Sequence, residues 1–292
     1  MSILNVKINF LAGESNPQEI LQCAVDTINA LSELDQALAN CISSNMQMSF
    51  KLEGFKEGSL ITRLKSFYLN NDENANTDEH INSDLAQQFV NNSREEIIKG
   101  VAASGNVIDG KQLADILKRT ETVAKQVGLI DAVGYAPPNP LILGTAINAV
   151  LDSGSKLKNG ETAKISTAEN FNDDSVYVEL PKGKKVDIDD VLNELVTQEI
   201  ENTSDMILVI KKPDFLGDSQ WDFKKGKETL SAKIDDDEWL RKFKSGEIVI
   251  VPNDALHVDL YEKVLFDKHG AALSIKRAIV KVKEIIKGKK YE

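Results

Sequence analysis

The strongest candidates for chemistry in this sequence are four consecutive acids at residues 235–238, within the stretch TLSAKIDDDEWLRKF. Clustered carboxylates can hold a divalent cation or transfer protons. Carboxylates at a helix N-terminus instead accept hydrogen bonds from unpaired backbone N–H groups. Consecutive helical side chains diverge by about 100°, so they converge poorly on one ion. The D-x-x-E spacing therefore favours a capping box, with Asp235 as the N-cap and Glu238 as its partner.

An enzyme with an unrecognised acidic site is kept as an alternative, in which Asp254 or Asp259 joins the run to bind a metal ion. The three histidines, His80, His257 and His269, have no cysteine or second histidine at metal-ligand spacing. The sequence contains no GxxxxGK[ST], GxGxxG, GxSxG or HExxH motif. We therefore predict no catalytic residue, no metal site and no cofactor.

The C-terminal stretch IKRAIVKVKEIIKGKKYE is the second candidate site. Ala278, Val280 and Val282 alternate with Lys281 and Lys283, which predicts a strand with a basic outer face. Such a face can contact the phosphates of nucleic acid or an acidic surface on a protein partner. Lysines on an edge strand can also serve only to prevent aggregation. The candidate binding residues are Lys276, Arg277, Lys281, Lys283, Lys287, Lys289 and Lys290.

The net charge of −11 is unevenly distributed along the chain. Residues 202–292 hold 18 Lys and Arg against 16 Asp and Glu, which leaves 17 against 30 for the remainder. An acidic body repels nucleic acid and anionic lipid, so only the C-terminal part offers a basic surface. Acidity of this kind also keeps a protein soluble.

The elements that position these residues follow from hydrophobic periodicity. The first 69 residues predict a strand, a helix starting at Pro17 with one buried stripe, and two strands joined by the turn GFKEGS. A polar stretch, residues 70–82, predicts a linker. Helices are predicted at 83–104, 109–133 and 141–157, followed by a second polar connection at 158–174. Short strands then dominate, with helices at 188–195 and 235–243; the predicted strands are SVYVEL, MILVIKK, WDF, TLSAKI, EIVIV, LHVDLYEKVLF and LSIKRAIVKVKEI.

These patterns predict an α+β fold in three parts. They are an N-terminal βαββ unit (1–69), a central helical segment (83–157) and a mostly antiparallel, β-rich C-terminal domain (175–292). Cys23 and Cys41 are predicted on one helix, too far apart to pair. No secretory leader and no apolar run of about 20 residues is evident. The expected location is the cytoplasm, without membrane association.

Two parts of the sequence together carry a resemblance to known proteins. The first part is FKEGSLITRL, and the second is GDSQWDFKKGKETLSAKIDDDEWLRKFKSGEI with the following NDALHVDL. They resemble a diffuse group of bacterial α+β proteins without an assigned activity, which occur in mobile-element and defence-type genomic settings. The resemblance covers less than a third of the chain. Its motifs are structural, so it implies no catalytic residue.

The leading functional hypothesis is a non-catalytic, cytoplasmic interaction or regulatory protein of a bacterial antiviral-defence or mobile-element system. It implies a protein partner, and a homo-oligomer is compatible with it. The first alternative is a nucleic-acid-binding protein that uses the basic C-terminal strand. The second is the enzyme with an acidic site described above.

Overall fold

The chain folds as an α+β protein, and of the residues that the structure describes 37% lie in helices and 35% in strands. The computed structural model describes residues 2–56, 60–70, 83–132, 135–170, 173–215 and 219–288. The tip of the predicted turn GFKEGS, most of the predicted linker at 70–82, and Lys289 and Lys290 lie outside the described residues. The chain divides into two compact units, Met1–Glu194 and Leu195–Glu292.

The predicted βαββ start is confirmed in the first unit. Strands β1 (Ser2–Asn9), β2 (Met46–Lys56) and β3 (Leu60–Asn70) pair antiparallel, and helix α1 (Pro17–Ala39) joins the first two. Helix α1 begins where Asn16 accepts a hydrogen bond from the Gln18 N–H and Pro17 occupies the first turn. The helix ends at Ala39, so Cys41 lies beyond it and the prediction that both cysteines share one helix is wrong.

The helical middle of the chain belongs to the same unit. Its helices are α2 (Ser83–Ala103), α3 (Gly110–Gln126), α4 (Leu129–Ala132), α5 (Pro140–Ser153) and α6 (Ile188–Leu195). The single helix predicted over 109–133 is wrong, because Gly128 adopts a φ of 75° and separates α3 from α4. Two short strands, β4 (Val107–Ile108) and β7 (Lys185–Val186), form a parallel pair.

Strand β5 (Thr162–Ser166) corrects the prediction that residues 158–174 are only a polar connection. It pairs with β1, and β6 (Val178–Glu179) pairs with β5, which completes the sheet order β2-β3-β1-β5-β6. The alternation in TAKIS is real, because Ala163 and Ile165 are buried. Most of the predicted strand SVYVEL is not a strand, since Asp174–Val176 forms a turn of 3₁₀ helix.

The second unit is a closed five-stranded barrel. Its strands are β8 (Gln198–Lys212), β9 (Trp221–Lys225), β10 (Glu228–Ile234), β11 (Ala255–Phe266) and β12 (Ala272–Ile286), and helix α7 (Asp237–Lys244) connects β10 to β11. The order around the barrel is β8-β9-β10-β12-β11 and back to β8. Only β10 and β12 run parallel to each other.

The barrel has its own hydrophobic core. Trp221 from β9 contacts Trp239 and Phe243 from α7, with ring centroids 5.9 and 5.1 Å apart. These aromatic pairs explain why α7 packs on the barrel, since they bury large apolar areas with favourable ring geometry. The predicted strand EIVIV, residues 247–251, is wrong, because this segment has no strand partner and connects α7 to β11.

Candidate binding groove

The acidic run at residues 235–238 lies at the start of α7, as the helix-cap interpretation predicted, but the capping residue differs. Asp236, not Asp235, is the N-cap, and its carboxylate accepts a hydrogen bond from the Trp239 N–H at 3.1 Å. The predicted pairing of Asp235 with Glu238 in a capping box is therefore wrong. Asp235 is exposed beside Lys233, and Glu238 pairs with Lys242 at 2.7 Å.

Asp236 is nearly buried and has a second structural contact. Its other carboxylate oxygen accepts the Val282 N–H of β12 at 3.0 Å, and Lys281 lies 3.4 Å away. Burial by itself raises the pKa of Asp236, but the Val282 and Trp239 N–H groups and Lys281 outweigh it and lower the pKa. Backbone N–H donors stabilise the ionised form of this carboxylate, so Asp236 serves as a structural link between α7 and β12.

Asp254 is a second buried carboxylate in the barrel, with no exposed surface. It accepts the Val251 N–H at 2.9 Å, the Gly288 N–H at 3.0 Å and the Lys287 ammonium at 2.9 Å. Burial raises the pKa of Asp254, and the bonds from Lys287, Val251 and Gly288 together lower it. Asp254 therefore joins the segment before β11 to the end of β12.

The described basic residues that were predicted as a binding face lie on β12 or, for Lys287, directly after it, and neighbouring carboxylates neutralise most of them. Arg277 pairs with Glu262 at 2.7 Å, and Lys283 pairs with both Asp205 and Asp259 at 2.5 Å. Lys281 and Lys287 reach the buried carboxylates described above. Lys276 lies opposite Lys263 on β11. Intramolecular partners of this kind compete with any external phosphate.

The alternation predicted for β12 is interrupted by a bulge. The pairing with β11 shifts between Asp259 and Leu260, so Ile279 and Val282 are buried whereas Val280 is exposed. A bulge inserts one unpaired residue and changes the face that the following residues occupy. The predicted inward position of Val280 is therefore wrong, and the outward lysines do not form one uninterrupted row.

His257 lies on the outer face of β11, and its partners come from the neighbouring strands. Its Nε2 lies 2.6 Å from Asp205 on β8, and its Nδ1 lies 3.2 Å from Glu284 on β12. The hydrogen bond with Asp205, then that with Glu284, raises the pKa of His257. Sequence reasoning missed both carboxylates because strand register is not visible in one sequence.

A groove of about 490 Å³ opens on the barrel surface beside β8 and β9. This volume is within the range of small-ligand and side-chain pockets. We call it the barrel groove; its lining residues are Val209, Ile210, Lys211, Pro213, Phe215, Lys224, Ile250, Val251, Pro252 and Asn253. Lys211 and Lys224 are the charged residues of this lining, so the groove combines apolar walls with two ammonium groups.

Phe215 forms an aromatic wall of the barrel groove. Its ring stacks on Phe243 at a centroid distance of 5.7 Å, although 61% of the residue is exposed. Val251 across the groove is 45% exposed, and its neighbour Val249 is 63% exposed. Exposed apolar side chains grouped around a concavity are typical of interaction sites.

Sequence reasoning missed the barrel groove, because its lining residues are separated by up to 44 positions in the sequence. Two signals pointed toward it. Phe215 is a lone large aromatic residue in the polar stretch KKPDFLGDS, and EIVIV is a strand-like run that ends at a proline. Neither signal reveals that the two segments lie beside each other.

The described residues contain no group of three histidine, cysteine or acidic side chains placed to hold a metal ion. None of the helices that the structure describes is long and apolar enough to cross a membrane. No family model, no curated protein and no solved structure matches this chain.

Proposed function

We propose that this chain is a non-catalytic interaction protein that holds part of a partner molecule in the barrel groove. The observation that carries the proposal is the combination of exposed apolar walls with Lys211 and Lys224 in one concavity. Apolar contacts contribute affinity at such a site, and the charged groups select the partner.

The contacts of the acidic residues support a binding role over an acid-dependent reaction. Asp236 and Asp254 are occupied by backbone N–H groups, and Asp259 pairs with Lys283. Each of these carboxylates stabilises the barrel, and this structural role explains its presence without a catalytic role. The resemblance of residues 217–248 and 253–260 to bacterial proteins of defence and mobile-element settings supports a bacterial context for the binding role.

The test is a comparison of what co-purifies with the full-length protein and with a groove variant. In the variant, Phe215→Ala and Lys224→Glu remove the aromatic wall and reverse one charge. Lys225→Glu is the matched control, because Lys225 is the next residue on β9, is exposed and does not line the groove. We expect mass spectrometry to identify a molecule that the wild type and the control retain and the groove variant loses. Identical sets for all three proteins would contradict the proposal.

A second candidate function, binding of single-stranded nucleic acid, is favoured by the barrel topology. Taken in chain order, the five strands follow one another as 1-2-3-5-4 around the barrel, and a helix lies between the third and fourth. This is the connectivity of OB-type barrels, several of which bind oligonucleotides. Phe215 and the two lysines supply a stacking surface and phosphate contacts.

The charge of the barrel unit argues against nucleic acid as the main partner. Residues 195–292 hold 18 basic and 18 acidic residues, so from the totals of 35 and 46 the first unit holds 17 and 28. A neutral barrel on a chain of net charge −11 does not attract a polyanion over long range. Topology alone does not establish a function.

A further inference from the structure

Residues 247–251, EIVIV, have the side-chain pattern of a strand although none of the strands that the structure describes pairs with them. Ile248 and Ile250 pack against the barrel core, whereas Val249 and Val251 are exposed. This inward and outward alternation is the period of an extended chain. The β-branched composition that predicted a strand is therefore matched by the side-chain orientation, and what the segment lacks is a neighbouring strand.

Both ends of this segment are fixed by hydrogen bonds. The Ile248 N–H donates to the Lys242 carbonyl at 3.1 Å, and the Val251 N–H donates to Asp254 at 2.9 Å. Asp254 itself has no exposed surface and is anchored to β12 through Gly288. These bonds hold the segment in place before any partner arrives, which lowers the entropy cost of binding.

The middle of the segment offers free backbone groups. Within the part of the chain that the structure describes, the N–H and C=O of Ile250 take part in no hydrogen bond, and neither does the N–H of Val249. Ile250 and Val251 also line the barrel groove. A free donor and a free acceptor on one extended residue are what an added strand needs.

We propose that the barrel groove binds an extended, acidic peptide segment of a partner protein, which pairs with Ile250 as an added strand. The proposal rests on the proposed function and names the chemical class of the partner. Alternate apolar side chains of the peptide lie against Val251 and Phe215. Its carboxylates lie near Lys211 and Lys224, the charged residues of the lining.

A peptide fits the free backbone groups better than nucleic acid does. The Ile250 carbonyl needs a donor and the Ile250 N–H needs an acceptor at the spacing of one residue. A peptide backbone presents both groups in alternation. The phosphate and deoxyribose oxygens of a DNA backbone only accept hydrogen bonds, so that backbone leaves the Ile250 carbonyl without a partner.

The first part of the test is selection from a library of random twelve-residue peptides displayed on phage, with the full-length protein as the target. We expect enriched sequences in which apolar residues alternate with Asp or Glu. Enrichment of basic sequences, or the absence of any enriched sequence, would overturn the peptide inference.

The second part measures the affinity of one selected peptide by fluorescence anisotropy. We expect Lys224→Glu to weaken binding about tenfold or more, and the control Lys225→Glu to change it less than about twofold. Methylation of alternate backbone nitrogens in the peptide removes pairing but keeps every side chain, so we expect a loss of about tenfold. Two methylated peptides are needed, one for each alternate set of backbone nitrogens. If both bind as tightly as the unmethylated peptide, strand addition is overturned.

A twelve-residue oligothymidylate is the third probe, and it separates this inference from the proposed function. One outcome is that the oligonucleotide binds, that Lys224→Glu abolishes this binding, and that no peptide is selected. In that case the barrel groove is a binding site, but its ligand is not a peptide. Should neither probe bind and the co-purification sets stay identical, both proposals fail.

Discussion

Asp236 joins two elements whose backbone groups would otherwise be unpaired. Strands β10 and β12 pair through only two residue pairs, Lys233 with Ala278 and Ile234 with Ile279. The Asp235 N–H continues this contact by donating to the Ile279 carbonyl at 2.9 Å, and the Asp236 carboxylate then accepts the Val282 N–H. The acidic run that first suggested catalysis is thus part of the closure of the barrel.

We expect Asp236→Ala to lower the free energy of unfolding by about 2 to 4 kcal/mol. Loss of an N-cap costs about 1 kcal/mol, and an unsatisfied buried N–H adds about 1 to 3 kcal/mol. Asp235→Ala, the matched control, should cost less than about 0.5 kcal/mol because Asp235 is exposed and has only a weak ion pair. Urea denaturation followed by circular dichroism measures both values. Equal losses would show that Asp236 does not link the helix to β12.

His257 makes the stability of the barrel depend on pH. Its pKa in the folded protein lies above the ordinary value of 6.5, mainly because Asp205 accepts a hydrogen bond from it. A raised pKa means that protonated His257 stabilises the fold below about pH 6.5. This contribution is lost as the pH rises through the folded-state pKa.

We therefore expect Asp205→Asn to lower the pKa of His257 and to flatten the decline in melting temperature above pH 6.5. Titration of the imidazole protons by NMR gives the pKa directly, and thermal melts at several pH values give the stability. Glu284→Gln is a useful comparison, because this second partner lies farther away, at 3.2 Å, and should produce a smaller change. A His257 pKa that does not respond to Asp205→Asn would refute this account.

At the scale of elements, a buried ion pair joins α1 to α2. Arg94 donates to both oxygens of Asp35 at 2.7 Å, and neither side chain is more than 1% exposed. Removal of one partner leaves a buried charge without compensation, so Arg94→Met should cost about 3 to 5 kcal/mol. The double variant with Asp35→Leu should recover most of this loss, because two apolar side chains can replace a buried pair.

Lys99→Met provides the control for this pair. Lys99 on the same helix pairs with Glu95 at 2.7 Å, but both side chains are largely exposed, so its removal should cost less than about 1 kcal/mol. Chemical denaturation of all three variants decides the matter. A double variant as unstable as Arg94→Met alone would show that packing, rather than the unpaired charge, determines the loss.

The elements that the sequence predicted well are those whose signal is local. Helix α6 spans Ile188–Leu195 as predicted, and the βαββ start follows from periodicity and from Pro17. The segment 247–251 was predicted as a strand from the same kind of signal, and the side-chain alternation was correct. Pairing, however, depends on a neighbour that the local sequence does not specify. The barrel groove was unpredictable for the same reason.

At the scale of the whole molecule, the uneven charge of the chain and the ion pairs of β12 determine how many phosphates of a nucleic acid the protein can contact. The affinity for a single strand falls with salt by a logarithmic slope of about −0.7 for each phosphate contacted. Two contacts, through Lys211 and Lys224, give a slope of about −1.4, whereas seven contacts along the basic C-terminal stretch give about −5. The two modes of nucleic acid binding are therefore distinguishable by one measurement.

We expect oligothymidylate binding to be absent at 150 mM salt, or to show the shallow slope at low salt, because four of the five described basic residues of the C-terminal stretch already pair with carboxylates. Fluorescence anisotropy across a salt series measures the slope. Lys281→Glu with Lys283→Glu should leave it unchanged, and Lys224→Glu should abolish what binding there is. A slope near −5 that becomes shallower by about 1.4 in the double lysine variant would instead establish the basic C-terminal stretch as the nucleic-acid surface, since two of its seven phosphate contacts are then lost.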